Sequence, residues 1–152
     1  MVEPEKFVVD AMLGKLAKWL RVLGYDTRYE SCKSSVWEKE KIKPRWVLTR
    51  NTSTARNRPE AILLYSDHVA QQLAELRKKI RINPHRSQWF TRCLVCNTPL
   101  ERPQPESEPD NVPEYVYYHN RTAIRYCPTC KQYFWPGSHR SRMLHQLKAW
   151  GF

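Results

Sequence analysis

No apolar run in the 152-residue chain approaches the roughly 20 residues of a membrane-spanning helix, so no membrane span is expected. No secretory leader pattern opens the sequence either. Acidic residues are few: 15 Asp and Glu stand against 26 Lys and Arg, giving a formal charge of +11 and a pI near 9.6. Neither half of the chain supplies an acidic counterweight. Such a surplus favours polyanionic partners, nucleic acid above all, because each neutralised phosphate releases counterions. An anionic membrane surface, or a basic protein with no nucleic-acid role, are the alternatives. Cysteine is sparse and odd in number, with Cys32, Cys93, Cys96, Cys127 and Cys130. Without a secretory signal, an odd count argues against a disulfide scaffold and for a reducing compartment, so a cytoplasmic location is expected. Internal repeats and long low-complexity segments are absent. What is there is 41% hydrophobic and 12% aromatic, enough for one ordinary domain or two small ones with modest cores.

The first half alternates two periods. Phe7 to Val9 is a short apolar run suited to a buried strand, and then Leu13, Leu16, Ala17, Leu20 and Leu23 follow helical spacing until Gly24 stops the helix. Asp10 stands between the two. The carboxyl end of a strand is where open α/β sheets bind ligands, yet an Asp before a helix is equally a cap. Thr27 to Tyr29, Trp46 to Leu48 and Ala61 to Leu64 read as further strands. Ser34 to Lys41 reads as a short polar helix capped by Ser34 or Ser35, and Asn51 to Pro59 as a loop or one helical turn. Ser66 or Asp67 is the expected cap of a helix with Val69, Leu73 and Leu76 on its apolar face. This order predicts an α/β domain, a parallel sheet flanked by helices, over residues 1–85.

The pattern changes near Asn83–Pro84, which places a boundary between residues 82 and 90 and a second domain over 88–152. Five of the eleven prolines fall in residues 99–113, as in an extended loop. Around that loop stand CLVC (93–96) and CPTC (127–130). Two Cys-x-x-Cys turns can complete a tetrahedral S₄ shell for Zn²⁺ from Cys93, Cys96, Cys127 and Cys130, and the 30 residues between them cost little extra loop entropy. Redox pairs or plain core cysteines are the competing readings. Four protein ligands leave no open position for a reacting water, so the zinc is expected to be architectural and to help a module poor in aliphatics to fold. The flanking runs TRC and RYC suit the strands of a zinc ribbon, and Cys32 reads as an ordinary thiol. Tyr133, Phe134 and Trp135 suit either a small core or base stacking. Ser138 is the expected cap of a last, basic helix carrying Arg140, Arg142, His145 and Lys148, and His139 suits either acid–base chemistry or packing.

Four stretches taken together, DAMLGKLAKWLRVLGYDT, VLTR, RCLVCNTPL and CPTCKQYFWPGSHRSRM, resemble the Mut-seven C-terminal ribonuclease domain family, in that family's order and across nearly the whole chain. The resemblance implies a PIN-like α/β nuclease domain followed by a small zinc ribbon. It implies RNA as partner and phosphodiester hydrolysis at carboxylates that hold Mg²⁺ or Mn²⁺, with Asp10 matching the first of them. Hard cations need oxygen ligands, several of them charged, to activate water and steady a leaving oxygen.

Two expected acids are missing. The family's Thr-Arg-Asp is Thr49–Arg50–Asn51 here, and the acidic position at the start of the preceding helix falls on Ser34 or Ser35, with Glu38 and Glu40 the nearest carboxylates. The catalytic set read from the resemblance is Asp10, Asn51 and Glu38. Phosphates would be gripped by Lys15, Lys18, Arg21, Arg50, Arg56 and Arg58, and along the second domain by Arg140, Arg142 and Lys148. A weakened nuclease, a catalytically silent RNA- or ribonucleoprotein-binding adaptor and a chain inactivated by substitution all fit the missing acids. A protein-interaction module using the Pro-rich loop is a further alternative.

Overall fold

A computed structural model of the chain describes residues 5–30, 45–104 and 112–152. The segment holding Cys32, Ser34, Ser35, Glu38, Glu40 and the expected polar helix lies outside the described residues. Two compact units divide the chain, Met1–Asn97 and Thr98–Phe152.

In the first unit β1 (Phe7–Val9) leads through a 3-10 turn (Ala11–Leu13) into α1 (Gly14–Val22). Next come β2 (Thr27–Tyr29), β3 (Trp46–Thr49), α2 (Thr52–Asn57), β4 (Ala61–Leu63) and α3 (Val69–Lys79). The four strands form one parallel sheet in the order β2-β1-β3-β4, with Val9 opposite both Tyr29 and Leu48 and Leu48 opposite Ile62. The expected α/β class is therefore the observed one, and parallel strands need the cover that helices provide. Phe7, Val9, Leu16, Leu20, Leu48 and Leu76 are fully buried. Each such side chain stabilises the fold by about 1.5–3 kcal/mol relative to exposure. Leu16 and Leu20 come from the helical stripe read in the sequence, and α1 packs on α3.

Gly24 ends α1 as expected. Its N–H donates to the Arg21 carbonyl at 3.0 Å, the Tyr25 N–H donates to that of Leu20 at 3.0 Å, and φ is +94°. This paired closure needs a left-handed residue, and a Cβ here would stand 2.3 Å from the Gln88 carbonyl oxygen, so only glycine fits. The start of α3 differs from expectation. His68 precedes it without a side-chain cap, while the Ser66 hydroxyl accepts the His68 N–H and the Glu75 carboxylate accepts the Tyr65 and Ser66 N–H groups at 2.9 and 2.8 Å. Glu75 thus ties down the segment leading into the helix, while neither Ser66 nor Asp67 is its cap.

In the second unit β5 (Arg125–Cys127) and β6 (Gln132–Phe134) form an antiparallel hairpin, to which Glu101 adds a bridge opposite Tyr126. A short helix, α4 (Glu114–His119), and the last helix, α5 (Ser138–Ala149), complete it. Ser138 is the first residue of α5 rather than its cap, which is Gly137. Val112, Val116 and Ile124 form one core cluster, and Tyr117, Tyr133 and Trp135 pack against it, so Tyr133 and Trp135 serve packing; Met143 and Leu147 of α5 are also buried. Among the described residues no helix is long and apolar enough to cross a membrane.

Candidate functional site

Three of the four strands deliver polar residues to the carboxyl edge of the parallel sheet: Glu30 just past β2, Asp10 just past β1, Arg50 and Asn51 just past β3. Asp10 is 5% exposed. One carboxylate oxygen accepts the Ala11 N–H at 2.7 Å, capping the 3-10 turn, and the other accepts the Thr49 hydroxyl at 3.1 Å. The cap reading is therefore realised, but it does not exhaust the group, since each carboxylate oxygen has two acceptor positions and, among the described residues, one hydrogen-bond partner. Thr49, fully buried, is the link the sequence concealed: its hydroxyl oxygen also accepts the Asn51 N–H at 3.0 Å, tying the ends of β1 and β3 together.

Asn51 is placed beside this link but is engaged elsewhere. Its Oδ1 accepts the Ser53 and Thr54 N–H groups at 2.9 and 3.2 Å as the cap of α2. Both lone pairs of that carbonyl are used, which leaves little for a cation. Glu30 is the acid that sequence reasoning passed over. Its N–H donates to the Val9 carbonyl at 3.1 Å, which sets it on the strand next to Asp10, and its Oε2 is buried without a hydrogen-bond partner among the described residues. Its signal was available, since Glu30 succeeds β2 as Asp10 succeeds β1. A buried carboxylate oxygen left unpaired is unusual and fits a cation ligand.

The basic residues divide. Lys15, Lys18 and Arg56 are exposed in the first unit, Arg142 and Lys148 in the second, while Arg50, Arg58 and Arg140 are partly buried. Arg50 donates to the Tyr65 carbonyl at 3.3 Å, and Arg58 pairs with Glu60 at 3.4 Å. Arg21 is 7% exposed and turned inward. Its Nε donates to the Thr27 carbonyl at 2.9 Å and its Nη1 to the Leu94 and Val95 carbonyls, each at 3.1 Å. Burial lowers its pKa, opposed by the nearby Cys96 and Cys93 sulfurs and by Asp26. Helical spacing put Arg21 in register with Lys18, but the turn it grips lies 73 and 74 positions away in the chain.

Cys93, Cys96, Cys127 and Cys130 are thiols, not disulfides, and their sulfurs all lie within 4.8 Å of one another. A tetrahedral ZnS₄ centre has sulfurs about 3.8 Å apart, from Zn–S bonds of about 2.3 Å, so the cluster needs only small adjustments to close on the ion. The two turns share one construction. The Asn97 N–H donates to the Cys93 carbonyl and the Lys131 N–H to that of Cys127, at 2.9 and 2.8 Å, with φ +72° at Asn97 and +56° at Lys131. In the second turn the Cys130 N–H also donates to the Cys127 sulfur at 3.3 Å. Four sulfurs presented by matching turns can hold a metal such as zinc, consistent with a zinc ribbon.

No curated protein and no solved structure matches the chain. A family model described as "Mut7-C RNAse domain" matches residues 5–147, which takes in the sheet edge and all four cysteines. The match spans almost the whole sequence, and the chain belongs to the Mut7-C RNAse domain family, a family of ribonuclease type.

Proposed function

We propose that the chain binds RNA and hydrolyses its phosphodiester bonds at the carboxyl edge of the sheet, using a divalent cation. The observation that carries this reading is Asp10, a buried carboxylate at the end of an inner strand with, among the described residues, an acceptor position left on each oxygen. Glu30 on the neighbouring strand offers a second anionic oxygen. Mg²⁺ or Mn²⁺ held by these two would supply a Lewis acid and an activated water. Asn51 shapes the edge by capping α2, and Thr49 fixes the orientation of Asp10. Lys15, Lys18, Arg50, Arg56 and Arg58 are the phosphate contacts of the first unit, with Arg140, Arg142 and Lys148 as a second basic set; Arg21 drops out because its donors are used inside the fold. Zinc on the four cysteines is architectural, with no position open to a reacting water. Cysteines kept as thiols suit a reducing, cytoplasmic setting.

A silent RNA-binding adaptor is the second reading, favoured by the engaged oxygen of Asn51. Cleavage of an unstructured RNA in millimolar Mg²⁺ and Mn²⁺ separates the two. We expect slow cleavage in Mg²⁺ and faster cleavage in Mn²⁺, since first-row ions tolerate mixed ligand sets better. Asp10→Ala should abolish it and Glu30→Gln should slow it at least tenfold. Asn51→Asp should accelerate it, because one Asp oxygen can keep the cap while the other adds a charged ligand. Brisk cleavage that survives Asp10→Ala would sink the proposed site. RNA binding with no cleavage in either metal, Asn51→Asp included, would establish the adaptor.

A further inference from the structure

We infer that the Cys93–Cys96 turn is the clasp of edge strand β2, with Arg21 and Asn97 as positioning residues through which metal binding orders the start of the strand that leads to Glu30. The importance given to Glu30 rests on the nuclease reading; the clasp itself does not.

Among the described residues β2 has a strand neighbour on one side only, β1. The Phe7 N–H donates to the Asp26 carbonyl and the Glu30 N–H to the Val9 carbonyl, so Asp26 and Glu30 present their backbone to β1. In a parallel ladder residues alternate, so Thr27, next to Asp26, presents its N–H and C=O outward. Such groups must find partners or face water, and Thr27 is fully buried. Both partners come from the cysteine turn and the arginine that grips it. The Thr27 N–H donates to Asn97 Oδ1 at 2.9 Å, and the Thr27 carbonyl accepts Arg21 Nε at 2.9 Å.

The same two residues define the turn. Arg21 Nη1 holds the carbonyls of Leu94 and Val95, the two residues between the cysteines. Asn97 comes directly after Cys96, and its N–H closes the turn on the Cys93 carbonyl. Its Nδ2 donates to Asp26 Oδ1 at 2.7 Å, and Arg92 holds its carbonyl at 3.0 Å while reaching the Gly24 carbonyl at 3.3 Å. The backbone geometry that aims the sulfurs is thus the geometry that aims the Asn97 side chain at β2. A metal that stabilises the turn stabilises the strand, and a loosened turn leaves the two outward groups of Thr27 without partners. A cationic guanidinium beside the turn also offsets the net charge of roughly −2 that four thiolates and Zn²⁺ carry.

The test is amide hydrogen exchange on the full chain, monitored at Thr27 and at an α3 reference amide, Leu76. Cobalt loading supplies an independent readout of metal through its thiolate charge-transfer band. Asn97→Gly removes the side chain yet accepts φ +72°. We expect Asn97→Gly to keep the cobalt band and speed exchange at Thr27 at least tenfold with Leu76 unchanged. Arg21→Met should do the same and also hasten metal loss to a chelator, with partial rescue in Arg21→Lys. Removing the metal from the parent chain should expose Thr27 before Leu76. The inference is overturned if Thr27 stays protected in metal-loaded Asn97→Gly, or if chelated parent, its band lost, protects Thr27 as before. None of these readouts uses RNA, so they fail or succeed independently of the nuclease.

Discussion

Asp26→Asn is the perturbation whose size the structure defines best. Asp26 receives Arg45 Nη1 at 2.7 Å and Nη2 at 3.0 Å, a two-point pair in which the side chains are 11% and 20% exposed, Arg45 first. Burial alone would raise its pKa, but the Arg45 and Asn97 hydrogen bonds and the charges of Arg45 and Arg92 outweigh it and hold the carboxyl at about 2, from an ordinary 3.8. A carboxylate depressed in the folded state adds stability above its unfolded pKa and loses it as pH falls through the folded one. At about 1.4 kcal/mol per unit, the pair contributes about 2.4 kcal/mol at pH 7, about 2 at pH 3.8 and about 0.4 at pH 2, as upper values. Arg45 keeps its backbone acceptors, the Phe7 and Asp26 carbonyls at 3.3 and 3.4 Å, so the measured loss at pH 7 should be about 2 kcal/mol. Urea unfolding of parent and Asp26→Asn at pH 7, 5, 3 and 2 measures the difference. Metal release on acidification affects both chains, and subtraction removes it. The gap should hold from pH 7 to 5 and narrow steeply below 4. A gap independent of pH, or one that widens in acid, would refute the assignment of this stability to the ionised Asp26.

Gly24→Ala combines a left-handed φ with a Cβ driven onto the Gln88 carbonyl, and should cost more than about 2 kcal/mol in urea unfolding; a loss under about 1 kcal/mol would mean that the Schellman closure rearranges freely. Elemental analysis of protein prepared without chelator should give one zinc per chain, and Cys127→Ser should abolish it along with the cobalt band. Zinc retained by Cys127→Ser would show that the four sulfurs do not act as one site. RNA affinity should fall linearly with salt on logarithmic axes, and Lys15→Glu with Lys18→Glu should flatten that slope, since both lysines are exposed on α1. Arg21→Met, by contrast, should leave the slope alone, and an equal effect from all three would return Arg21 to the surface set.

By itself the sequence determined the features carried by neighbours along the chain. The leucine stripe of α1, the stop at Gly24, the alternation that makes a parallel sheet and the two Cys-x-x-Cys turns each depend on spacings of a few residues, where backbone geometry leaves few alternatives. The location of Asp10 at a strand end was legible for the same reason, because a change from strand to helix period marks the end in one dimension. Tertiary structure decided what each charged or polar group touches. The order β2-β1-β3-β4 sets Glu30 beside Asp10 and brings Thr49 between Asp10 and Asn51. Burial turned Arg21 from an expected phosphate contact into a brace of the cysteine turn, and Asn97 found its partner in Thr27, 70 positions away. Such pairings answer to outward-facing backbone groups on an edge strand, which must be satisfied by whatever the fold brings near, and no local pattern records which residue that will be.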